Sequence, residues 1–417
     1  MKVKMIKCFL LTAFVFILLL CQNSYAVHEG EPLWKQEALT EGFFGLNDRL
    51  AETGLQAGLS ITNIYQQNVK GGLSTNDARG RFSGSYDLEV WADLQKILGM
   101  EKSSIYLLIE GGWPDEEGIN SVSVGSFWGV NADAIGNENI IVKELYFRQL
   151  LFEDRLELMI GRIDFTGYFD AAEYANDEIT QFINPAFVDN PAIPFPDYGL
   201  GIIAAYDFSE HLYLMAGAAD AQADSRETGF NTAFHGEDNF FYIIEAGLKT
   251  ELNSETGSLP GRYRFGLWYD PQPKSNSGSE KFYRDDAGFY LSFDQLLLKE
   301  NSDAADAQGL GSFFRYGFSD SRKNDLTNFW SVGFQYQGLF EGRDSDILGL
   351  AFAQGFFSDY ASSTFTEDYE SAAEIYYNFQ AAPWFHISPN IQCITNPDGD
   401  KNIDDSVILG CRVFVIF

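Results

Sequence analysis

From Leu55 to the C-terminal Phe417, apolar and polar residues alternate with a period of two, and this alternation constrains the fold more than any other feature. In YDLEVWADL, Asp87, Glu89, Trp91 and Asp93 fall on one face and Leu88, Val90, Ala92 and Leu94 on the other. In VKELYFRQLL, Leu145, Phe147, Gln149 and Leu151 oppose Glu144, Tyr146 and Arg148. In RYRFGLWYD, Tyr263, Phe265, Leu267 and Tyr269 oppose Arg262, Arg264, Gly266, Trp268 and Asp270. Period two with one apolar face specifies half-buried β-strands. Sixteen such segments occur, starting near Leu55, Phe82, Ser103, Ile140, Leu156, Tyr198, His211, Phe240, Arg262, Phe289, Leu310, Phe329, Ile347, Tyr369, Trp384 and Ser406. An even count, with about 24 residues per strand and connection, suits a large antiparallel barrel.

The connections alternate in length. Glu153-Asp154-Arg155, Ser209-Glu210 and Ala381-Ala382-Pro383 are tight, whereas Pro114 to Asn139, Thr166 to Asp197, Ala221 to Asn239 and Ser358 to Asp368 are long. Tight turns follow even strands and long loops mostly follow odd ones, although the connection from Lys299 to Gly309 is long for the tight side. Outer-membrane barrels show this asymmetry, with short periplasmic turns and long outer loops.

The first 26 residues read as a secretory signal peptide: lysines in MKVKMIK, an apolar stretch from Cys8 to Cys21, and a small-x-small site cleaved after Ala26. Three lysines leave with it, taking the formal charge from −32 to −35. That much negative charge argues against a nucleic-acid partner. No later segment approaches the apolar length of a membrane helix. Signal, loop asymmetry and a greasy last strand, Ser406 to Phe417, together predict a transmembrane β-barrel in the outer membrane of a Gram-negative bacterium. Closure leaves no strand edge unpaired in lipid. A terminal aromatic on an alternating strand is the kind of tag that outer-membrane assembly machinery recognises. The expected organisation is signal peptide 1–26, an N-terminal segment 27–54 with a short helix around Phe44, Leu46 and Leu50 stopped by Gly54, and the barrel 55–417.

Catalytic signatures are missing. His28, His211, His235 and His386 are scattered, and no G-x-S-x-G or H-E-x-x-H occurs. Asp398-Gly399-Asp400 lacks the rest of a calcium loop and reads as a turn. Neither a cofactor nor a metal is expected, and the chain is not expected to be an enzyme. Cys393 and Cys411 flank NPDGDKNIDD; a hairpin centred near Asn402 would set them face to face, as a candidate disulfide.

Two features point to a solute pathway. The stretch Ile163 to Gly201 carries Pro185, Pro191, Pro194 and Pro196 among many aromatics, suiting a stiffened loop folded back into the barrel. The polar strand faces mix Arg with Asp and Glu and carry aromatics: Glu89, Trp91, Glu110, Glu144, Arg148, Arg162, Asp164, Arg264, Trp268 and Arg315, with Glu370 and Glu374. Charges of both signs beside aromatic faces suit neutral polyhydroxylated solutes.

The chain resembles the carbohydrate-selective porins of the OprB family. LTEGFFGLNDRLAETGLQAGLSITNIYQQNVKGGL is similar to that family's opening helix and first strand. GRIDFTGYFD and ANDEITQFINPAFVDNPAIPFPDYGLG are similar to its signature stretch. GRDSDILGLAFAQG, YESAAEIYYNFQAAPWFHISPNIQCITNP and the final Phe are similar to its closing strands. The resemblance covers Leu39 to Phe417 and implies a sixteen-stranded outer-membrane barrel passing carbohydrates by facilitated diffusion. It places Arg162, Asp164 and the loop Phe165 to Asp197 at the constriction, with Phe169, Phe182 and Asn184 among the candidate contacts. A monomer and a homotrimer both fit. The competing expectations are a general or small-polar-solute porin, a barrel hydrolase and a secreted glycan-binding β-protein.

Overall fold

Sixteen antiparallel strands close into a barrel in which each pairs with its sequence neighbours and β1 pairs with β16. The computed structural model describes residues 33–77, 80–113, 118–138, 140–234, 238–303 and 306–417. The signal-peptide reading of residues 1–26, together with His28 and His235, lies outside them. Contacts divide the chain into residues 1–36, of which Leu33–Lys35 forms a 3-10 turn, and residues 37–417.

The strands are β1 Leu55–Gly72, β2 Gly80–Asp93, β3 Ser103–Trp113, β4 Ile141–Leu151, β5 Leu156–Arg162, β6 Leu200–Asp207, β7 Leu212–Asp220 and β8 Phe240–Ser254. They continue as β9 Gly257–Asp270, β10 Asp286–Lys299, β11 Gly309–Phe318, β12 Leu326–Gln337, β13 Ile347–Phe357, β14 Tyr369–Ala382, β15 Phe385–Thr395 and β16 Asp404–Ile416. Each begins within a few residues of its expected start. On the tight side, residues 94–102, 300–308 and 338–346 are the long connections. Before the barrel, helix α1 (Glu41–Thr53) ends on Gly54 at φ 94°, the left-handed stop that glycine tolerates best.

Register turns the alternation into two surfaces. Phe334, Leu350, Ile375, Ile391 and Leu409 are successive partners across β12 to β16, and all are exposed. Such a row on the outer face is the apolar band a membrane barrel presents to lipid. The other face is covered from within by loop L2 (residues 114–140) and loop L3 (residues 163–199). Ile119, Val124 and Val130 of L2, with Phe182, Ala186 and Phe187 of L3, pack on Phe313, Phe329, Ala351, Ala372 and Ile408 of the wall. Ile163, Phe165 and Phe169 pack on Met159, Ile203, Met215 and Phe241. The barrel's apolar core is therefore an interface between the wall and its own inward loops.

The cysteine expectation is corrected. Cys393 pairs with Val407, and Cys411 pairs with Pro389. The hairpin is centred at 400 because the turn tightens around the 3-10 residues Pro397–Gly399. The two thiols are free, on the same face of neighbouring strands but four residues out of step. That offset is roughly 13 Å along a strand, beyond disulfide reach.

Candidate functional site

L3 starts as a capped turn: Asp164 accepts from the Thr166 amide (2.9 Å) and hydroxyl (2.7 Å), opening the 3-10 turn Phe165–Gly167. Further on, Asn184 caps the short helix Pro185–Val188 by accepting from the Ala186 amide at 3.0 Å. Two glycines let the loop lie flat on the wall. A Cβ on Gly217 would sit 2.7 Å from the Phe165 ring, and one on Gly311 would sit 2.2 Å from the Tyr174 ring. Phe182 packs edge-on against Tyr376 at 4.8 Å and, tilted, against Phe187 at 5.1 Å.

A loop with so little regular structure leaves backbone groups that must find partners. The wall supplies them. Arg315, 0% exposed, donates to the carbonyls of Asp170 (3.2 Å), Phe187 (2.6 Å), Val188 (3.2 Å) and Ala175 (2.5 Å) and to Asn176 Oδ1 (2.7 Å). Arg412 donates to the carbonyls of Glu178 (2.6 Å) and Gln181 (3.0 Å). Carboxylates serve the amides: Glu374 accepts from Ile183 (3.1 Å) and Asn184 (2.9 Å), and Glu245 accepts from Asp170 (3.0 Å). Asp294 accepts from the Glu173 amide (3.2 Å) while pairing with Arg264 at 2.6 Å. L2 is held likewise, with Glu370 accepting from the Phe127 amide (2.8 Å) and the Ser126 hydroxyl (2.5 Å).

This arrangement revises several candidate solute contacts. Arg264 pairs with Asp294, which accepts from a loop amide, and Arg315 anchors the loop directly. Trp268 is buried beneath it, and Phe169, Phe182 and Asn184 lie inside its packed core. Arg162 is corrected more sharply. It pairs with Leu145 and Leu200, and its face of β5 carries Leu158 and the exposed Ile160. The side chain therefore leaves the barrel on the outer face, where it donates to carbonyls of Ser225 (2.8 Å) and Glu227 in the β7–β8 loop.

The remaining candidates gather on the inner wall of β2 to β5 and the facing edge of L3. Glu89 is exposed to the lumen, and Trp91, Glu144, Arg148 and Asp164 are half-buried. Arg148 pairs with Glu157 and lies 5.8 Å from the Trp91 ring. Trp91, Tyr106 and Tyr146 form a run of rings at 6.0 and 5.3 Å, and the Tyr146 hydroxyl meets that of Tyr168 at 2.9 Å. Glu144 accepts from the Asp164 amide at 3.1 Å. Glu110 is buried and pairs with Lys143 at 2.9 Å. Sequence reasoning missed Lys143 because it is the extra residue of a β-bulge, between Val142 opposite Ile109 and Glu144 opposite Leu108. Bulges re-aim side chains in this way, and alternation gives no sign of them. Tyr106 and Glu157 were legible from strand parity.

Loop carboxyls around this wall hold their protons more tightly than usual. Burial, with Asp164 and Glu178 nearby, pushes Asp189 up to about 7. Burial raises Glu178, and raises Asp133 well above the carboxylate range. Among the described residues no group of His, Cys, Asp and Glu is arranged to hold a metal ion.

Comparison with known proteins gives a consistent likeness. The sequence model of the "Carbohydrate-selective porin, OprB family" matches residues 77–417. Porin B of Pseudomonas aeruginosa is 23% identical over 89% of this chain and 90% of its own. The putative porin QuiX of Acinetobacter baylyi is 22% identical over 92% and 94%. Among solved structures, the high-pH structure of Pseudomonas putida OprB matches with a TM-score of 0.82 at 21% identity, covering 93% of this chain and 100% of that one.

Proposed function

The chain belongs to the carbohydrate-selective porins of the OprB family, and we propose that sugars cross it along the inner wall of β2 to β5. It is an outer-membrane porin that passes carbohydrates by diffusion through its barrel. The pathway is read from one observation above the rest: Glu89, Trp91 and Arg148 are inner-wall side chains open to the lumen and not spent on the L2 or L3 backbone. Sugar hydroxyls donate to Glu89 and Glu144 and accept from Arg148, while the CH face of a pyranose stacks on Trp91. Glu110 and Asp164 border the same path. A site of this kind is weak enough for the solute to leave. Export by a signal peptide cleaved after Ala26, and delivery to the assembly machinery through the β16 strand ending on Phe417, complete the reading.

Single-channel current in a planar bilayer, titrated with mono- and disaccharides, tests it. Saturable block is expected, weakened about tenfold by Trp91→Ala or Arg148→Gln, the loss of one charge-assisted hydrogen bond or stacking contact. Block unchanged in both variants would remove the pathway. Indifference to every sugar would reduce the protein to a general diffusion pore.

A further inference from the structure

We propose that the lumen beside L3 filters solutes by charge, favouring cations, so that neutral and amino-bearing sugars pass while sugar acids and sugar phosphates are held back. This rests on the sugar-pathway reading and narrows its solute class.

The strand sequences carry charges of both signs, but the fold separates them. The arginines Arg264, Arg315 and Arg412 stand behind the loops, 4%, 0% and 2% exposed. There they face Asp170, Glu245, Asp294 and Glu374, so these three arginines bring no surplus positive charge to the lumen. On the open side the balance is different. Asp87 and Glu110 are direct partners on β2 and β3. Glu144 on β4, Asp133 on L2, and Asp164, Glu178 and Asp189 on L3 stand around them. Lys143 is the cation these groups share, and it is engaged by Glu110. Arg148 lies towards the tight-turn end and is taken by Glu157.

A second observation is independent of the count. Asp133 is 2% exposed, and its Oδ2 has no hydrogen-bond partner among the described residues. Its neighbours are the Ser85 hydroxyl and the carboxyls of Glu178, Glu110 and Asp87, which lie around it. Burial and these carboxyls keep Asp133 protonated, so it adds no charge of its own, and its unpartnered oxygen marks a region where acidic groups outnumber the donors available to them. One uncompensated charge near the path is worth about 1 kcal/mol at 4 Å in water, or about fivefold in relative permeability.

The test is the reversal potential of the full chain in a planar bilayer across a KCl gradient, with sugar block measured on the same channels. K⁺ is expected to be favoured over Cl⁻ by about fivefold. Glu178→Gln with Asp189→Asn should lower the ratio and Lys143→Gln should raise it. D-glucosamine should enter and block more readily than D-gluconate of similar size. Equal permeabilities or a preference for Cl⁻, with sugar block intact, would overturn the filter and leave the sugar pathway standing. A cation preference in channels that no sugar blocks would support the filter and overturn the pathway. If the variants fail to insert, the parent's reversal potential alone decides.

Discussion

Replacing Arg315 with Met should loosen L3 without disturbing the barrel. The methionine keeps most of the stem's volume and removes the guanidinium, leaving the carbonyls of Asp170, Ala175, Phe187 and Val188 and the Asn176 side chain without their shared donor. These groups lie in a dry interior, since Arg315 is 0% exposed. Hydrogen bonds to a charged group contribute about 1.5–3 kcal/mol each but not additively, so about 3–5 kcal/mol is a fair cost for the set. That corresponds to a shift towards the open loop of about a hundred-fold to several thousand-fold. Arg412 and Glu374 still hold the following stretch, and Phe182 and Phe187 stay buried, so the release is local to residues 170–176 and 187–189. Amide hydrogen exchange reads it directly. The Asp170 and Glu173 amides, bonded to Glu245 and Asp294, should exchange about a hundred-fold faster or more, while the β11 and β12 amides stay protected. Single-channel current should become larger and noisier. Unchanged exchange across L3 would refute the anchoring role. Loss of protection in the wall along with the loop would refute it too, by making Arg315 a determinant of barrel assembly.

Arg162→Ala should leave conductance and sugar block at parental values, because the side chain projects from the outer face; a weakened block would contradict its placement beside Leu145 and Leu200. Denatured, unreduced protein should take up alkylating reagent at both Cys393 and Cys411, and a mass deficit of two hydrogens with no uptake would refute the register. Cation preference should grow as pH rises through about 7: Asp189, faced by Asp164, Glu178, Arg315 and Lys143, is neutral below that pH and charged above it. Asp189→Asn should flatten this rise, and a preference that falls with pH would refute the assignment.

The barrel was legible because alternation is a local signal repeated sixteen times, and an error of a few residues at a strand start changes nothing about its faces. What failed depended on one residue or on contacts between distant segments. Arg162 follows Leu158 and Ile160 at even spacing, so strand parity alone would have sent it outward; the habit of placing charge in the lumen overrode it. The cysteine pairing turned on a hairpin centre at 400 rather than 402. Lys143 reaches Glu110 only through a bulge, which leaves no periodic trace. Strand parity correctly placed Arg264, Trp268 and Arg315 on the inner face, but no periodicity tells which inner residues see water and which lie under a loop.

That last distinction carries the functional consequence. A loop stored inside a barrel has no sheet or long helix to satisfy its amides and carbonyls, and the wall must supply donors and acceptors where the turns happen to need them. Guanidinium suits the carbonyls, since one planar fork can serve several diverging acceptors, as Arg315 does; a lysine could not hold that geometry. Carboxylates suit the amides, as Glu374 and Glu245 do. Much of the lumen charge visible in the sequence is therefore scaffold for L3, and the wall arginines under L3 are used up in it. The carboxylates facing the path from β2, β3, β4 and L3 are left with Lys143 between them, so the field a sugar meets is set by what the loop did not take.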